Sequence, residues 1–431
     1  MPTASPAGRA TPSQGRLLMV GINYRPEQTG IAPYTAGLAE YLASRGRQVT
    51  VVTGMPHYPQ WQVRDGYEGR LRTREQMDEV RVLRLRHYVP GRQSAWRRAL
   101  YEGSFLLHGL TAGSLPRPDA VVGVVPSLSG GALARMLAWR FRVPYGLIFQ
   151  DLMGPAAAQS GIAGGGCAAR AVRTVEGSAA RAAALVAAVS QGFFPYLTDL
   201  GVPPEKLLHL PNWAQIRPPG SERESTRRQL GWDSEVQVAL HAGNMGAKQG
   251  LDQVLDAARL AARQGRSIRF VLMGDGNQRA ALQEQARGLA NVTFLPPRPA
   301  SEFPDVLAAA DVLLVSERAS VRDMSLPSKL TSYFTAGGPV LAAVRPDGAT
   351  AREVERSGAG LVVPAGEPAP LIDALDRLAA DRLLRERLAE AGRAYARAAL
   401  RPDLALARAD EFVARLVGGG LAAPINQGAV A

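Results

Sequence analysis

The chain has 431 residues, of which 46% are hydrophobic and 20% are charged, the composition of an ordinary globular protein. Its formal net charge of +12 favours an anionic partner, such as nucleic acid, an acidic membrane surface or a phosphorylated substrate. The single cysteine, Cys167, excludes an intrachain disulfide and a cysteine-built zinc site. The five histidines form no metal-binding spacing, so we expect no metal and no cofactor.

The two ends of the chain indicate a protein without a targeting or spanning segment. Residues 1–16 lack an apolar core, which favours a disordered tail over a signal peptide. No apolar run reaches the roughly 18 residues that a membrane-spanning helix needs. We therefore predict a cytoplasmic protein that contacts a membrane only at its surface, on the inner face of the cell membrane.

In the first half of the chain, short apolar runs alternate with helical patterns. The run Leu17–Tyr24 precedes a predicted helix with Pro33 near its first turn, a favourable position for proline. Further strands are predicted at QVTVVTG, VRVLRLR, DAVVGVV, PYGLIFQD, AALVAAVS and KLLHLPN. Near-continuous apolar strands between helices are typical of parallel sheets that are covered on both faces.

A second series begins at Val236, and the polar, proline-bearing segment Pro211–Ser225 separates it from the first. Its predicted strands are VQVALHA, IRFVLMG, VTFLP, DVLLVSE, PVLAAV and GLVVP. The pattern predicts an α/β protein with two Rossmann-like, doubly wound parallel-sheet domains that face each other across a cleft. The predicted bounds are 17–212 and 213–395, followed by a C-terminal helix over 396–417 and a disordered tail over 418–431. Ligands of such sheets bind at the carboxyl ends of the strands.

The stretch GNMGAKQG, Gly243–Gly250, places Lys248 among three glycines between a predicted strand and a predicted helix. Its spacing matches neither the dinucleotide-binding fingerprint nor a P-loop. Glycines allow backbone N–H groups to approach a ligand, and a helix N-terminus attracts anions. With a cation added, a diphosphate is the natural ligand; the alternative is a plain strand-to-helix turn with an exposed lysine.

Two other loops have similar features. In YRPEQTGIAPYT, Gly30 permits close backbone approach near the N-terminus of the first helix. In MSLPSKLTSYFTAGGPV, Lys329 falls in the first turn of a predicted helix, where the helix dipole disfavours a cation. A bound anion would compensate for that cost, and an ordinary solvated lysine is the alternative interpretation.

These stretches resemble the family 4 glycosyltransferases of the GT-B fold, and among them the sugar transferases of the colanic-acid and O-antigen type. The resemblance covers residues 17 to 345 and keeps the expected order of motifs. The motifs are GINYRPEQTGIAPYT, MPHYPQWQV, GVVPSL, FQDL, LPNW, GNMGAKQGL, FVLMGDG and LPSKLTSYFTAGGPV. Any one of them is weak support, whereas eight in sequence indicate the family strongly.

The resemblance implies a retaining transferase that moves a sugar from a nucleoside diphosphate sugar to a sugar, lipid-linked or small-molecule acceptor. It assigns the acceptor to the N-terminal domain and the nucleotide sugar to the C-terminal domain. The product would be a glycan, a glycolipid or a glycosylated metabolite. The implied donor-binding residues are Gly243, Asn244, Gly246, Lys248, Gly274, Gly276, Arg298, Ser328, Lys329, Ser332 and Glu317. Lys248 and Lys329 would neutralise the diphosphate, and the amides around Gly30 would approach it.

The chain departs from the family at one motif. Many members carry two glutamates separated by seven residues, whereas here the second position falls on Ser332 and the first near Met324. Glu317 is the nearest carboxylate upstream and is expected to take over part of the role. The colanic-acid subgroup also lacks the pair, so we interpret the difference as variation and not as loss of activity.

Asp151, at the end of PYGLIFQD, is the predicted catalytic carboxylate, which would hold a sugar hydroxyl or stabilise positive charge at the anomeric carbon. The alternative is that it caps the segment that follows.

In the PHYPQW loop, His57, Tyr58 and Trp61 are predicted to bind the acceptor, since aromatic rings suit sugar faces and lipid-linked groups. A structural plug is the alternative there. His241 lies within an apolar strand and is interpreted as a core residue.

Arginines are frequent between Arg64 and Arg98, and Ala95–Leu115 has the pattern of an amphipathic helix. This combination predicts docking on an anionic bilayer, with a core helix that has a solvated basic edge as the alternative.

Two other functions compete with the transferase. A nucleotide-sugar 2-epimerase of the same fold would need acid–base carboxylates and histidines, which are sparse here. A basic nucleic-acid-binding protein would explain the charge, but no recognisable motif supports it, so no nucleic-acid partner is expected.

Overall fold

The structure is a computed structural model that describes residues 15–418 except 29, 92–93, 114, 156–164 and 322–326. Almost all of the two predicted tails lies outside the described residues. The chain divides into two compact units. Unit 1 consists of Met1–Leu210 and Leu406–Ala431, and unit 2 consists of Pro211–Ala405.

Unit 1 is built on a sheet with strand order β3-β4-β2-β1-β5-β6-β7-β8. Its strands are β1 (Arg16–Val20), β2 (Gln48–Gly54), β3 (Arg72–Met77), β4 (Val80–Leu85), β5 (Ala120–Val125), β6 (Tyr145–Phe149), β7 (Leu185–Ala188) and β8 (Leu207–His209). Its first helices are α1 (Ala32–Ser44), α2 (Ala95–Leu110), α3 (Leu128–Phe141), α4 (Gly165–Ala182) and α5 (Phe194–Asp199). The parallel strands are buried on both faces, as the apolar runs predicted: Val20, Val51 and Val122 have no exposed surface.

Strand β3 was not predicted, and it is the exception to the parallel arrangement. It pairs antiparallel with β4 at the edge of the sheet. Its sequence RTREQM alternates between exposed and half-buried positions, so it lacks the apolar run by which the other strands are recognised. Glu75 of β3 accepts a hydrogen bond at 2.8 Å from Nε of Arg84, a fully buried arginine on β4. The strand therefore supplies the partner that a buried charge needs.

Unit 2 contains a parallel sheet with strand order β11-β10-β9-β12-β13-β14. Its strands are β9 (Gln237–Ala242), β10 (Ile268–Met273), β11 (Val292–Leu295), β12 (Val312–Ser316), β13 (Val340–Val344) and β14 (Gly360–Pro364). Its helices are α6 (Arg223–Leu230), α7 (Asp252–Arg263), α8 (Arg279–Gln285), α9 (Phe303–Ala309), α10 (Lys329–Ala336), α11 (Ala349–Ser357), α12 (Pro368–Ala380) and α13 (Arg382–Ala399). Two apolar clusters, one on each face of the sheet, form its core.

The segment Pro211–Ser225, predicted as a linker, is anchored to unit 2. The carboxylate of Asp305 accepts hydrogen bonds from the backbone N–H groups of Gly220 (2.7 Å) and Ser221 (3.1 Å) and from Arg217 Nη2 (2.8 Å). The first residues after the boundary are therefore part of the second unit.

The last helix, α14 (Pro402–Val417), packs on unit 1. Arg47 of unit 1 and Asp410 form an ion pair at 3.0 Å. A Cβ atom on Gly146 of β6 would lie only 2.5 Å from the ring of Phe412, so that glycine makes room for the helix. The predicted boundary at 395 falls inside α13, and the break between the two helices lies at Leu400 and Arg401, just before Pro402, which cannot continue α13.

Candidate active site

In unit 2, two glycine loops pack against each other at the carboxyl ends of the adjacent strands β9 and β10. Gly274 has φ of +139°, and a Cβ atom on it would lie 1.9 Å from the carbonyl oxygen of Gly243. A Cβ atom on Gly276 would lie 2.6 Å from Oδ1 of Asn244. These glycines are therefore required for the contact between the loops.

The backbone donors of the first loop are largely engaged within the protein. The N–H of Gly243 donates to Met273 O at 2.9 Å, and that of Met245 donates to Asp275 O at 2.8 Å. The N–H of Gly246 donates to Oε1 of Gln249 at 3.1 Å. The one cationic side chain of the loop, Lys248, is thus better suited to bind an anion than these three amides.

Lys248 lies in a short 3-10 turn, Ala247–Gln249, and helix α7 begins only at Asp252. The predicted direct entry from the loop into the helix is therefore interrupted by one tight turn. The turn is tied to the loop after β12, because the N–H of Arg318 donates to Lys248 O at 3.0 Å. The side chain of Lys248 is half-buried.

Lys329, the first residue of α10, lies against the imidazole of His241. Its Nζ is 3.3 Å from Nε2 and 3.4 Å from Nδ1 of that ring. His241 has no exposed surface, and burial together with the charge of Lys329 holds its pKa well below the ordinary value. Loss of solvation lowers the pKa of Lys329 to about 7; the charge of Glu317 opposes this shift and that of Lys248 adds to it.

Glu317 follows β12 and completes this group. Its Oε2 accepts a hydrogen bond from Thr350 Oγ1 at 2.9 Å, and its Oε1 has no hydrogen-bond partner in the described part of the chain. Burial raises its pKa, while Lys248, Thr350 and Lys329 lower it. We name Lys248, Lys329, Glu317 and His241 the lysine cluster. Of the three lysines in the chain, two belong to it.

The other predicted donor residues of unit 2 lie around this cluster. Ser328 is exposed and precedes α10, and Ser332 is half-buried within it. Arg298 follows β11, two strands away from β9, and its Nη1 is 3.6 Å from Oε2 of Glu302. Met324, at the first position of the missing glutamate pair, lies outside the described residues.

In unit 1, Tyr58 lies beside Gly30 and within electrostatic range of Asp151. Gly30 has φ of +68°, and a Cβ atom on it would lie 3.2 Å from Cε1 of Tyr58. Burial raises the pKa of Tyr58, and the charges of Asp151 and Glu27 raise it further. The residues come from the loops after β1, β2 and β6, at the carboxyl edge of the sheet.

A different carboxylate caps the segment that follows Asp151. Glu176 of α4 accepts hydrogen bonds from the N–H groups of Met153 (2.9 Å) and Gly154 (3.1 Å). Its Oε2 also accepts one from Tyr196 Oη at 2.6 Å. Glu176 therefore caps this segment from α4.

His57 supports the predicted acceptor loop, and both of its ring nitrogens lie at hydrogen-bond distance from protein groups. Its side chain is fully buried, with Nδ1 2.9 Å from Met55 O and Nε2 3.1 Å from Tyr101 Oη. Burial lowers its pKa, and the charge of Glu27 opposes this shift. The plug interpretation thus fits His57, whereas Tyr58 and Trp61 are half-buried and remain available.

Glu27 is a functional candidate that sequence reasoning missed. Its Oε1 accepts hydrogen bonds from the N–H groups of His57 (2.8 Å) and Tyr58 (2.9 Å), and its Oε2 accepts one from Asn23 Nδ2 (2.9 Å). This buried carboxylate fixes the loop that carries Tyr58. A glutamate in a polar loop gives no sequence signal of burial, because the contact depends on how the loops after β1 and β2 meet.

Comparisons with known proteins agree with this architecture. Residues 29–213 match the family described as glycosyl transferase 4-like domain, and residues 222–395 match glycosyl transferases group 1. A putative colanic acid biosynthesis glycosyl transferase, WcaI of Escherichia coli K12, is 34% identical over 336 residues, covering 75% of this chain and 82% of that protein. The α-D-kanosaminyltransferase of Streptomyces kanamyceticus is 28% identical over 39% of this chain and 43% of its own length.

Solved structures show the same fold. Sucrose-phosphate synthase from Thermosynechococcus elongatus superposes with a TM-score of 0.73 at 17% identity, covering 94% of this chain and all of that one. HepE of Anabaena, solved in complex with UDP-glucose, gives a TM-score of 0.67 at 18% identity, covering 93% of this chain and all of that one.

The fold is GT-B, and its two domains define a glycosyltransferase. The chain belongs to the glycosyltransferase family that combines the 4-like and group 1 domains, and it is similar to the colanic-acid type of that family. This membership favours a transferase over the epimerase and the nucleic-acid-binding protein considered from sequence. Across the described parts of the chain, no helix has the length and apolar character to span a bilayer.

Proposed function

We propose that this enzyme is a retaining glycosyltransferase that transfers a sugar from a nucleoside diphosphate sugar to an acceptor in polysaccharide biosynthesis. The observation that carries the proposal is the lysine cluster at the carboxyl edge of the unit 2 sheet. Two similar proteins support it, since one is described as a putative colanic acid biosynthesis glycosyl transferase and the other was crystallised with UDP-glucose.

The charge of the lysine cluster suits a diphosphate. Lys329 lies beside a buried imidazole, and the charge of Lys248 contributes to its lowered pKa. The charges of the two lysines repel each other, and a bound anion between them would offset that repulsion. Negative charge accumulates on the leaving diphosphate as the glycosidic bond breaks, so fixed cations there lower the barrier. The two ammonium groups would thus provide this stabilisation without a metal ion.

Unit 1 would supply the groups for the acceptor and the reacting carbon. In a retaining transfer, the acceptor hydroxyl attacks the anomeric carbon on the face that the diphosphate leaves, and its proton passes to a leaving phosphate oxygen. Asp151 would stabilise the positive charge on the sugar, and the amides around Gly30 would approach the phosphate. Tyr58 lies beside Gly30, and the charge of Asp151 raises its pKa. Tyr58 would therefore line the position of the acceptor hydroxyl. Trp61 would contact the acceptor, and His57 would hold the loop.

The donor can be identified by binding. Thermal unfolding with UDP, GDP, dTDP and ADP should show stabilisation by one or more of them, since a ligand at 100 times its Kd contributes about 2.7 kcal/mol. The corresponding nucleotide sugars, incubated with candidate acceptors, should then give a product with the donor's anomeric configuration by NMR. Failure of all four nucleotides to bind, or a product of inverted configuration, would contradict the proposal.

The location at a membrane is a separate part of the proposal and rests on the outer face of α2. Trp96, Leu100 and Leu107 are 60%, 48% and 64% exposed. Their spacing of four and eleven residues places them on one face of the helix. Arg97 lies 5.1 Å from the ring of Trp96. An exposed apolar stripe with neighbouring arginines suits an anionic bilayer, as expected for a protein at the inner face of the cell membrane.

This surface can be tested by sedimentation with liposomes. The protein should bind anionic but not neutral vesicles, and salt should release it. Leu107→Ser should weaken binding, whereas the control Leu383→Ser, at a leucine of unit 2 that is 78% exposed, should not. Equal binding to both vesicle types would remove the membrane from this proposal.

A further inference from the structure

The loop after β12 lies against the turn that carries Lys248. Strand β12 pairs with β9, so the loops that follow these two strands emerge side by side at the carboxyl edge of the unit 2 sheet. The first two residues after β12 are Glu317, a member of the lysine cluster, and Arg318. Arg318 is thus a direct neighbour of the cluster without being one of its members.

Arg318 binds the backbone of the turn at two consecutive carbonyl groups. Its N–H donates to Lys248 O at 3.0 Å, and its Nε donates to Ala247 O at 2.8 Å. These oxygens belong to the peptide units on either side of the Lys248 Cα atom. Because each peptide unit is planar, fixing both units also fixes the direction in which the Lys248 side chain leaves the backbone.

The far end of the Arg318 side chain is tied to helix α7. Its Nη2 is 3.0 Å from Oδ1 of Asp252 and its Nη1 is 3.3 Å from Oδ2, a bidentate pair with the first residue of the helix. The planar guanidinium presents several N–H donors at once, so one side chain holds both the turn and the helix. An ammonium group is a single point of charge and could not occupy both places.

The loop that bears Arg318 is itself held in place. The N–H of Val321 donates to Arg318 O at 2.9 Å, which closes a turn in this loop. Gly250 has φ of +54°, and a Cβ atom on it would lie 3.0 Å from Cγ of Arg318. The stem of the arginine therefore packs directly on the residue that ends the Lys248 turn.

We propose that Arg318 is a positioning residue for the diphosphate, which holds the turn so that the ammonium of Lys248 points at the phosphate oxygens. Arg318 would act through Lys248 and would not contact the ligand. A lysine side chain is long and flexible, so its contribution to affinity depends on how much freedom it loses on binding. The inference rests on the proposed function, because it requires Lys248 to bind a diphosphate.

The first test compares variants of the full-length protein by calorimetry with the nucleoside diphosphate identified by thermal unfolding. Arg318→Met keeps the apolar stem on Gly250 and removes the guanidinium. It should weaken binding by roughly three- to tenfold, the range expected for coupled neighbours, and leave binding of the bare nucleoside unchanged. Arg318→Lys keeps the charge but cannot hold Ala247 O and Asp252 together, so it should also weaken binding, by about twofold or more.

Arg259→Met is the matched control. Arg259 lies on the same helix α7, pairs with Asp256 at 2.6 Å, and has a side chain that is 35% exposed, against 43% for Arg318. It has the same chemistry as Arg318 but lies on α7 itself and not in the loop after β12. Its substitution should leave the affinity for the nucleoside diphosphate intact.

The second test repeats Arg318→Met in the Lys248→Ala background. A residue that acts through Lys248 should cause no further loss once the ammonium is absent. A loss of the same size in both backgrounds would show that Arg318 acts on the ligand directly, and would overturn the proposal.

Three other outcomes would overturn it as well. These are normal binding by Arg318→Met, normal binding by Arg318→Lys, which would make the charge alone responsible, and an equal loss for the bare nucleoside, which would indicate a general structural role. Each of them leaves the proposed function intact, provided that the unmodified protein binds the nucleoside diphosphate. Absence of that binding would instead contradict the proposed function, and the role of Arg318 with it.

Discussion

The two candidate sites of this enzyme differ in how they are built. In unit 2, the lysine cluster combines two cations, a buried carboxylate and a buried imidazole, and its lowered lysine pKa reflects the cost of holding charge out of water. In unit 1, aromatic rings and buried histidines surround the predicted acceptor loop, and the carboxylate of Glu27 accepts hydrogen bonds from backbone N–H groups of that loop. The first site suits a diphosphate of fixed charge, and the second would recognise the shape of the proposed acceptor.

The largest expected effect is a loss of turnover on substitution of Asp151, and it tests the assignment of catalysis to unit 1 and of charge neutralisation to unit 2. If it stabilises the reacting sugar, Asp151→Asn should lower kcat by about a hundred- to a thousandfold, the usual effect of removing one preorganised electrostatic group. The Kd for the nucleoside diphosphate should stay unchanged, since the lysine cluster lies in the other unit. Initial rates and calorimetry measure the two quantities.

Asp199→Asn is the matched control for this variant, because Asp199 is an exposed aspartate at the end of α5. It should keep normal turnover. If Asp151→Asn keeps normal turnover as well, or weakens nucleotide binding as much as kcat, the assignment of catalysis to unit 1 and charge neutralisation to unit 2 fails.

The next effect is at Lys248. Lys248→Ala should weaken binding of the nucleoside diphosphate by roughly ten- to a hundredfold, because a charge-assisted hydrogen bond contributes roughly 1.5–3 kcal/mol. Binding of the bare nucleoside, which has no phosphate, should barely change.

Lys206→Ala provides the control, since Lys206 is the third lysine of the chain and donates to Ala183 O at 3.0 Å in unit 1. It should leave both affinities intact. Equal losses for nucleoside and nucleoside diphosphate in Lys248→Ala would show that Lys248 does not bind the phosphate.

The smallest expected effect is a pH dependence of the affinity for the nucleoside diphosphate. Lys329 has a pKa of about 7 in the unliganded protein, and a bound diphosphate would raise it, so binding above pH 7 takes up a proton. Affinity should fall by up to about tenfold per pH unit between pH 7.5 and 8.5, the limit for one proton. Calorimetry in buffers of different ionisation enthalpy measures this uptake. Lys329→Met should bind more weakly and lose the pH dependence, and an unchanged slope in this variant would contradict the assignment.

The lowered pKa of Lys329 also affects the free energy of unfolding of the unliganded protein. In the unfolded chain Lys329 keeps its proton until about pH 10.4. Between pH 7 and that value the unfolded state therefore binds more protons, and the contribution of Lys329 to the free energy of unfolding rises with pH. Lys329→Met should remove this rise, as measured by urea denaturation.

Much of the fold could be predicted from the sequence, because a buried parallel strand needs an unbroken apolar run. Every predicted strand is present, and β3 was missed because a polar edge strand lacks that run. The site was harder to predict. His241 was interpreted as a core residue, and it is buried, yet its contact with Lys329 depends on how β9 and α10 pack. Glu27 could not be assigned for the same reason, since only the folded loops show what its carboxylate holds.

The return of α14 to unit 1 has a consequence for protein engineering. Exchanging unit 2, the proposed donor-binding half, between related enzymes is a natural route to new sugar specificity, and a single crossover near residue 210 would be the obvious design. That chimera would carry a foreign Phe412 and Asp410 into the space at Gly146 and against Arg47. A cassette with two junctions, one at Leu210/Pro211 and one at Ala405/Leu406, keeps these native contacts together.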